Sequence, residues 1–239
     1  MKIDIHTHVL PGIDDGAKDW ETCIEMLAQS AASGVEKIIA TPHYLPWGKN
    51  ASPKRIRMLC QEASEKLYKE RGIALDIYPG NEIYYSIGVA QKVKNEEVLT
   101  LAGTRYVLVE FQTAGPYQEL CRAVREFRDG GFIPIIAHME RYQCLERMER
   151  IEELKELGAL MQMNVDSIDG GFWQKDSRKA KQLLAKGVID FMASDMHGLG
   201  RRSPITDGKL QWVYKKLDSE YQQELIYGNA EKMLSGIKA

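Results

Sequence analysis

The chain has 239 residues, of which 44% are hydrophobic and 28% are charged, and its 32 basic and 34 acidic side chains give a net charge of −2. This composition is typical of a globular protein and excludes a disordered or fibrous chain. Nucleic-acid-binding proteins usually carry a marked basic excess, so that class is disfavoured. The length is typical of an α/β barrel, so we expect a single domain over residues 1–239.

The sequence also predicts the cellular compartment. No apolar signal-peptide core follows Lys2, and no stretch approaches the length of a membrane span. The cysteines form no C-x-x-C pair, which is typical of reduced thiols in the cytoplasm. These cysteines are Cys23, Cys60, Cys121 and Cys144.

Short β-branched runs alternate with longer helical patterns along the chain. The first half predicts, in order, strand 2–5, helix 19–33, strand 35–41, helix 53–71, strand 74–78, helix 88–94, strand 105–109 and helix 116–129. The second half predicts strand 132–137, helix 145–157, strand 159–165, helix 176–186, strand 188–193 and helices 207–216, 218–227 and 229–234. Seven strands that alternate with helices indicate a parallel sheet, either open and doubly wound or closed into a barrel.

All five histidines fall at the carboxyl ends of predicted strands. They are His6, His8, His43, His138 and His197. Acidic residues end other strands, with Glu82 after the third and Glu110 on the fourth. In a parallel barrel all these ends open onto one face, where active sites are built. We therefore expect these side chains to converge on one site.

Two short motifs point to metal ligands. In the extended segment His6-Thr7-His8 the two imidazoles lie on the same side, close enough to share one metal ion. Asp195-Met196-His197 repeats this arrangement with a carboxylate and an imidazole. Mixed nitrogen and oxygen ligands suit Mn²⁺, Zn²⁺ or Fe²⁺.

The whole ligand set is too large for one ion and indicates two or three. It comprises His6, His8, Asp14 or Asp15, His43, Glu82, Glu110, His138, Asp195 and His197. Multi-metal sites clamp the attacking and leaving oxygens of an in-line displacement, which favours a phosphoester hydrolase. Arg141, Arg201 and Arg202 follow the ligand motifs, and guanidinium groups suit phosphate oxygens.

The motifs that carry these residues resemble the bacterial PHP-domain (polymerase and histidinol phosphatase) tyrosine phosphatases of the CpsB/CapC family, which belong to capsule and exopolysaccharide operons. The resemblance covers almost the whole chain in order. It is carried by residues 3–16 (IDIHTHVLPGIDDG), 41–43 (TPH), 80–85 (GNEIYY), 110–111 (EF), 137–142 (AHMERY) and 193–197 (ASDMH).

The resemblance implies a distorted (β/α)₇ barrel, a TIM-like PHP fold, with a trinuclear and usually Mn²⁺-activated site at the strand ends. The first ion would take His6, His8, Glu82 and Asp195. The second would share Glu82 and add Glu110 and His138. The third would take His43, His197 and one acid of the Asp14-Asp15 pair, with Asp15 favoured.

The resemblance also implies the reaction. Arg141 and Arg202 match phosphate-binding arginines, although two adjacent arginines depart from the family pattern and leave Arg201 as an alternative. Asp15, Arg141 and Arg202 are the implied catalytic residues. A metal-bound hydroxide would attack phosphotyrosine in line, and the implied substrate is a bacterial tyrosine autokinase. The phenolate leaving group has a pKa of about 10, so the demand for a general acid is modest.

Four alternatives stay open at this point. A phosphatase of a small phosphoester such as histidinol phosphate would use the same metals. An amidohydrolase also begins with H-x-H after its first strand. Cys144 and Arg150 have the spacing of a cysteine tyrosine phosphatase, but the residues between them do not suit a phosphate loop. The chain could instead be a metal-bound regulator of a kinase.

Several aromatic residues are candidates for lining the mouth of the site, with packing in the core as the alternative. They are Tyr84, Tyr85, Tyr117, Phe172 and Trp173.

Overall fold

The computed structural model describes residues 1–168, 174–200 and 202–236. Its strands are β1 (Lys2–Thr7), β2 (Val35–Ala40), β3 (His43–Tyr44), β4 (Asp76–Pro79), β5 (Glu82–Tyr84), β6 (Tyr106–Glu110), β7 (Ile133–Ile136), β8 (Leu160–Asn164) and β9 (Phe191–Ala193). Its helices are α1 (Trp20–Ala32), α2 (Pro53–Arg71), α3 (Val89–Lys94), α4 (Tyr117–Asp129), α5 (Met148–Glu156), α6 (Gln174–Ala185), α7 (Asp207–Lys216), α8 (Ser219–Gln223) and α9 (Asn229–Leu234).

The strands form a curled parallel sheet in an α/β architecture. One section has the order β1-β2-β4 and the other the order β3-β5-β6-β7-β8-β9. The segment after β9 returns to β1, where the amide of Asp195 donates to the carbonyl of His6 at 2.9 Å. The amide of His8 donates to the carbonyl of Met196 at the same distance. The first strand and the segment after the last strand, which both carry potential metal ligands, are thus hydrogen-bonded to each other directly.

The prediction of seven strands missed two short ones, because β3 and β5 follow the second and third predicted strands after a break in each case. Pro42, between β2 and β3, has no N–H to donate to a neighbouring strand. Gly80, between β4 and β5, lies where a Cβ would be 3.1 Å from side-chain carbons of Ile39 and Leu101. Asn81 ties the two breaks together by donating to the carbonyl of Pro42 at 2.9 Å. Beyond the breaks, His43 and Glu82 are paired in register.

Most predicted helices are present, and their ends have the expected caps. The carboxylate of Asp19 accepts from the amide of Thr22 at 2.8 Å, and α2 ends at Gly72, which has φ +67°. The predicted helix 145–157 begins later, at Met148, after a 3₁₀ turn. The predicted helix 218–227 passes at Glu224 into a π-helical turn.

The helices cover the sheet with one apolar face each. α4 buries Leu120, Val124 and Phe127 against the sheet and leaves its charged residues outside. Truncating a buried Phe of this kind typically costs about 3–5 kcal/mol of stability. This packing fixes the strands and therefore the positions at which their ends deliver side chains. Among the described helices, none combines the length and apolar character needed to cross a bilayer.

Candidate metal centre

The five histidines, which span residues 6 to 197, gather at the carboxyl end of the sheet. The rings of His8 and His197 are stacked with centroids 3.9 Å apart, and His43 lies 4.5 Å from His8. His6 lies 5.4 Å from His8 and 5.8 Å from His138. Strand ends far apart in sequence therefore form one cluster of imidazoles.

Glu82 occupies the centre of this cluster and is almost completely buried. Its Oε2 lies 3.1 Å from Nε2 of His6, 3.2 Å from Nε2 of His8 and 3.1 Å from Nδ1 of His43. Its Oε1 lies 2.9 Å from Nε2 of His138. Burial opposes ionisation, but the surrounding imidazoles outweigh it and hold the pKa of Glu82 well below its usual range. One carboxylate thus contacts four of the five histidines.

Among the residues that the structure describes, three overlapping groups have their potential ligand atoms within 4.8 Å of one another. They are His6, His8, Glu82 and Asp195; His43, Glu82 and Glu110; and His8, Asp15, His43 and His197. The first is the set that the family resemblance implies for one ion. The second contains His43, whereas His138 was expected; Nε2 of His138 lies 3.6 Å from Oε1 of Glu110. The third includes the expected His43, Asp15 and His197 together with His8.

The residues of the cluster fit divalent cations. Glu82 Oε2 and His43 Nδ1 are buried and make no hydrogen bond of acceptable geometry, although they are 3.1 Å apart. A buried polar atom without a partner costs about 1–3 kcal/mol, and a cation between these atoms would satisfy both. The donors are imidazole nitrogens and carboxylate oxygens, without a thiolate, which suits Mn²⁺, Fe²⁺ or Zn²⁺.

Asp14 and Asp15 face different surroundings. Asp14 accepts from Nδ1 of His8 at 2.7 Å and from the amide of Gly16 at 3.0 Å. Asp15 places Oδ1 3.4 Å from Nε2 of His43 and 3.3 Å from Nε2 of His197. The loop lies so close to β1 that a Cβ at Gly16 would be 2.0 Å from the carbonyl oxygen of His8. Asp14 therefore binds the Nδ1 side of the His8 ring, while the carboxylate of Asp15 faces the other histidines of the cluster.

Strand β8 supplies a buried amide relay that sequence reasoning did not identify. Oε1 of Gln162 lies 3.1 Å from Nδ1 of His6 and accepts from the amide of His138 at 2.8 Å. Gln162 then donates to Asn164 at 2.9 Å, and Asn164 donates to Oδ2 of Asp195 at 2.7 Å. Gln162 and Asn164 are two residues apart on one strand and point to the same side. They orient ligand-bearing residues of three different strand ends.

Two arginines border the cluster. Nη2 of Arg141 lies 2.9 Å from Oδ2 of Asp195, and its side chain is 37% exposed. Nη1 of Arg202 lies 3.0 Å from Nε2 of His197. Burial and the nearby charges of His8 and Arg202 lower the pKa of His197 to about 4, so its ring is neutral at pH 7 and accepts this bond. Arg201, the alternative to Arg202, lies outside the described residues.

Three of the five non-glycine residues that have a positive φ in the described part of the chain lie at this site. His138, Asp195 and Arg202 have φ values of +32°, +51° and +54°, in the left-handed region that disfavours residues with a Cβ. Each such residue costs about 1–3 kcal/mol and persists where its surroundings hold it. The side-chain oxygen of Gln162 holds His138 in this conformation by accepting a hydrogen bond from its backbone N–H.

The structure does not support a cysteine nucleophile. Arg150 donates to the backbone carbonyl of Cys144 at 2.8 Å. Burial raises the pKa of Cys144, whereas a reactive cysteine needs a lowered pKa.

Comparisons with known proteins agree with this site. The family described as "Capsular polysaccharide synthesis, CpsB/CapC" matches residues 2–235. Tyrosine-protein phosphatase YwqE of Bacillus subtilis is 34% identical over 97% of this chain and 91% of its own length. Tyrosine-protein phosphatase CpsB of Streptococcus pneumoniae is 31% identical over 97% and 98%.

A solved structure is similar along nearly the whole chain. It comes from crystal structures of YwqE from Bacillus subtilis and CpsB from Streptococcus pneumoniae, described as unique metal-dependent tyrosine phosphatases. It superposes with a TM-score of 0.91 at 32% identity and covers 99% of this chain and 95% of its own.

Proposed function

The chain belongs to the CpsB/CapC family, and we propose that it is a metal-dependent protein-tyrosine phosphatase. The observation that carries the proposal is the buried cluster around Glu82, whose carboxylate lies among four imidazoles with an unpartnered oxygen. The relatives described as metal-dependent tyrosine phosphatases cover nearly all of this chain. Both the site and the similarity support the same activity.

We assign the nine side chains that converge on the cluster as the metal ligands. They are His6, His8, Asp15, His43, Glu82, Glu110, His138, Asp195 and His197. When bound, two or three divalent ions, with Mn²⁺ as our proposal, would neutralise phosphate oxygens and activate water as the nucleophile. Glu82 belongs to two groups of ligand atoms and would bridge two ions.

The arginines would complete the phosphate site. Asp195 holds one nitrogen of Arg141, which leaves the remaining N–H donors of its guanidinium for phosphate oxygens. Arg202 is equally exposed and extends from the other side of Asp195, with Nη1 3.8 Å from its Oδ1. Positive charges on both sides of the phosphate would stabilise the charge of its equatorial oxygens as the bond to the phenolate breaks. Asp15, Arg141 and Arg202 are therefore the proposed catalytic set.

We also propose a fold and a cellular setting for the protein. The nine strand segments and the bonds between β1 and residues 195–196 favour a distorted seven-stranded barrel formed by one domain. The four cysteines are unpaired, which favours a reducing compartment such as the cytoplasm. The proposed substrate is a phosphotyrosine protein of capsule synthesis, for which a bacterial tyrosine autokinase is our candidate.

A comparison of substrates tests this function. The Mn²⁺-loaded protein is expected to hydrolyse a phosphotyrosine peptide with a higher kcat/KM than histidinol phosphate or a phosphoserine peptide. His6→Ala and chelation should abolish the activity, whereas Cys144→Ser should retain it. A preference for histidinol phosphate would replace the proposal with the small-phosphoester alternative. Activity that survives chelation but not Cys144→Ser would contradict a metal mechanism.

A further inference from the structure

The loop after β3 holds a tryptophan on a braced turn. The amide of Gly48 donates to the carbonyl of Leu45 at 3.0 Å and closes a turn with Pro46 and Trp47 in its centre. The side chain of Asn50 accepts from the amide of Leu45 at 2.7 Å and donates to its carbonyl at 2.8 Å. The backbone under Trp47 is thus fixed by three hydrogen bonds.

Trp47 itself is 70% exposed, although tryptophan is the residue with the most apolar area to bury. Its only aromatic contact among the described residues is with Tyr84, edge to face, with ring centroids 4.9 Å apart and planes at 72°. A large aromatic side chain presented to solvent on an ordered turn is typical of a binding surface, where tryptophan is enriched among the energetically dominant residues.

Tyr84 connects this tryptophan to the metal centre. It follows Glu82 by two residues on β5 and so points to the same side of the strand. In the sheet it is paired in register with Glu110, a member of the ligand cluster. Tyr84 therefore lies between a strand that carries a proposed ligand and the exposed ring of Trp47.

We propose that Trp47 and Tyr84 form a platform for the peptide that carries the phosphotyrosine, with Trp47 in contact with residues beside the phosphorylated one. The inference rests on the proposed function and adds to it a specificity-determining surface. A phosphate held between the metal ligands and the arginines leaves the phenyl ring above it and the peptide backbone at the rim. The exposed indole of Trp47, beside Tyr84, is placed to contact such a backbone. This arrangement suits an extended peptide better than a small phosphoester.

The test compares two substrates of different size on Trp47→Ala. KM for a phosphotyrosine peptide should rise about 5–10-fold with kcat little changed, as for truncation of a binding anchor. Hydrolysis of p-nitrophenyl phosphate, which reaches only the metal centre, should be unchanged. Trp47→Phe should restore part of the peptide affinity. Tyr68→Ala is the matched control, because Tyr68 is 66% exposed near the C-terminal end of α2. That end of the helix leads into the start of β4, whereas the metal centre lies at the carboxyl ends of the strands.

Each other result contradicts the platform. An equal loss with both substrates would mean that Trp47 supports the metal centre, and unchanged peptide kinetics would remove its role in binding. A lower sedimentation coefficient for Trp47→Ala with unchanged peptide KM would assign the indole to a contact between copies of the chain. A wild-type protein that hydrolyses p-nitrophenyl phosphate but no phosphotyrosine peptide would overturn the proposed function itself, and the platform with it. If the wild-type protein hydrolyses the phosphotyrosine peptide but Trp47→Ala does not show the expected rise in KM, only the platform is overturned.

Discussion

Asp14 holds the side of the His8 ring that faces away from Glu82. Its carboxylate lies 2.7 Å from Nδ1 of His8, while Nε2 of the same ring lies 3.2 Å from Glu82 Oε2. In the neutral ring, which is the form that binds a metal, a hydrogen bond donated from Nδ1 fixes the tautomer in which Nε2 carries the lone pair. Asp14 is thus a positioning residue for a metal ligand, and it differs in this respect from its neighbour Asp15.

Asp14→Ala should therefore lower metal affinity without removing a ligand. Loss of a residue that orients a histidine ligand typically costs about 10–100-fold in metal affinity or activity. The measurement is a competition with a chromophoric chelator, together with the number of ions bound at saturating metal. Asp14→Ala should keep that number and Asp15→Ala should reduce it. Identical behaviour of the two variants would contradict the separate roles.

The amide relay of β8 provides a second prediction. Gln162→Leu removes the acceptor shared by His6 Nδ1 and the amide of His138, and leaves the buried His138 amide without its partner. We expect weaker metal binding and a stability loss of about 1–3 kcal/mol in the metal-free protein, measured by chelator competition and urea unfolding.

Gln91→Leu, on the exposed side of α3, is the matched control for Gln162→Leu. A Gln162→Leu protein that is less stable but binds metal as tightly as the wild type would show that the relay supports only the fold.

These examples mark the limit of what the sequence could predict. His6, His8, Asp195 and His197 were identifiable because two-residue spacing at the ends of parallel strands fixes where side chains point. The relay was not identifiable, because Gln162 and His6 are 156 residues apart and their contact depends on the curl of the sheet.

The same limit applies to conformation. The left-handed backbones of His138 and Asp195 were not predicted, because aspartate and histidine favour this region only weakly and most of them lie elsewhere. Proline and glycine are residue types that commonly interrupt strands, so breaks at Pro42 and Gly80 could be expected from the sequence. The pairing of His43 with Glu82 beyond these breaks could not. Trp47 lies between the predicted strand 35–41 and the predicted helix 53–71 and was not singled out, whereas Tyr84 was a candidate for the mouth. Tyr85 is instead buried with its hydroxyl donating to Glu126, and Tyr117 donates to Glu153; Phe172 and Trp173 lie outside the described residues.

Metal binding should release protons. Burial opposes protonation of His8, but its bonds to Asp14 and Glu82 outweigh burial and raise its pKa to about 10 in the metal-free cluster. The ring is therefore protonated at neutral pH, and a cation must displace that proton because only the neutral imidazole is a ligand. Apparent affinity should rise as pH increases towards 10 and fall as pH decreases.

Calorimetric titrations with Mn²⁺ in buffers of different ionisation enthalpy measure the number of protons released. A positive number at pH 7.5, reduced in Asp14→Ala, is the expected result. Binding enthalpies that do not depend on the buffer would contradict the protonated cluster.

Arg141 should act on the phosphate and not on the metals. Arg141→Lys keeps a positive charge near Asp195 but loses the planar, bidentate donor geometry that suits phosphate. We expect kcat/KM to fall by about 10²–10³-fold, as for loss of one donor to a developing anion, with metal content unchanged. Arg147→Lys, at the exposed start of α5, is the control. A large loss of bound metal in Arg141→Lys would assign this arginine to the metal centre.

The most direct measurement is a metal titration of the chelator-treated protein, monitored at once by elemental analysis and by hydrolysis of a phosphotyrosine peptide. We expect the metal-free protein to be inactive, and its activity to return as Mn²⁺ is added and to reach its maximum at two or three ions per chain. Full activity in the metal-free protein, or activation without stoichiometric binding, would contradict this expectation.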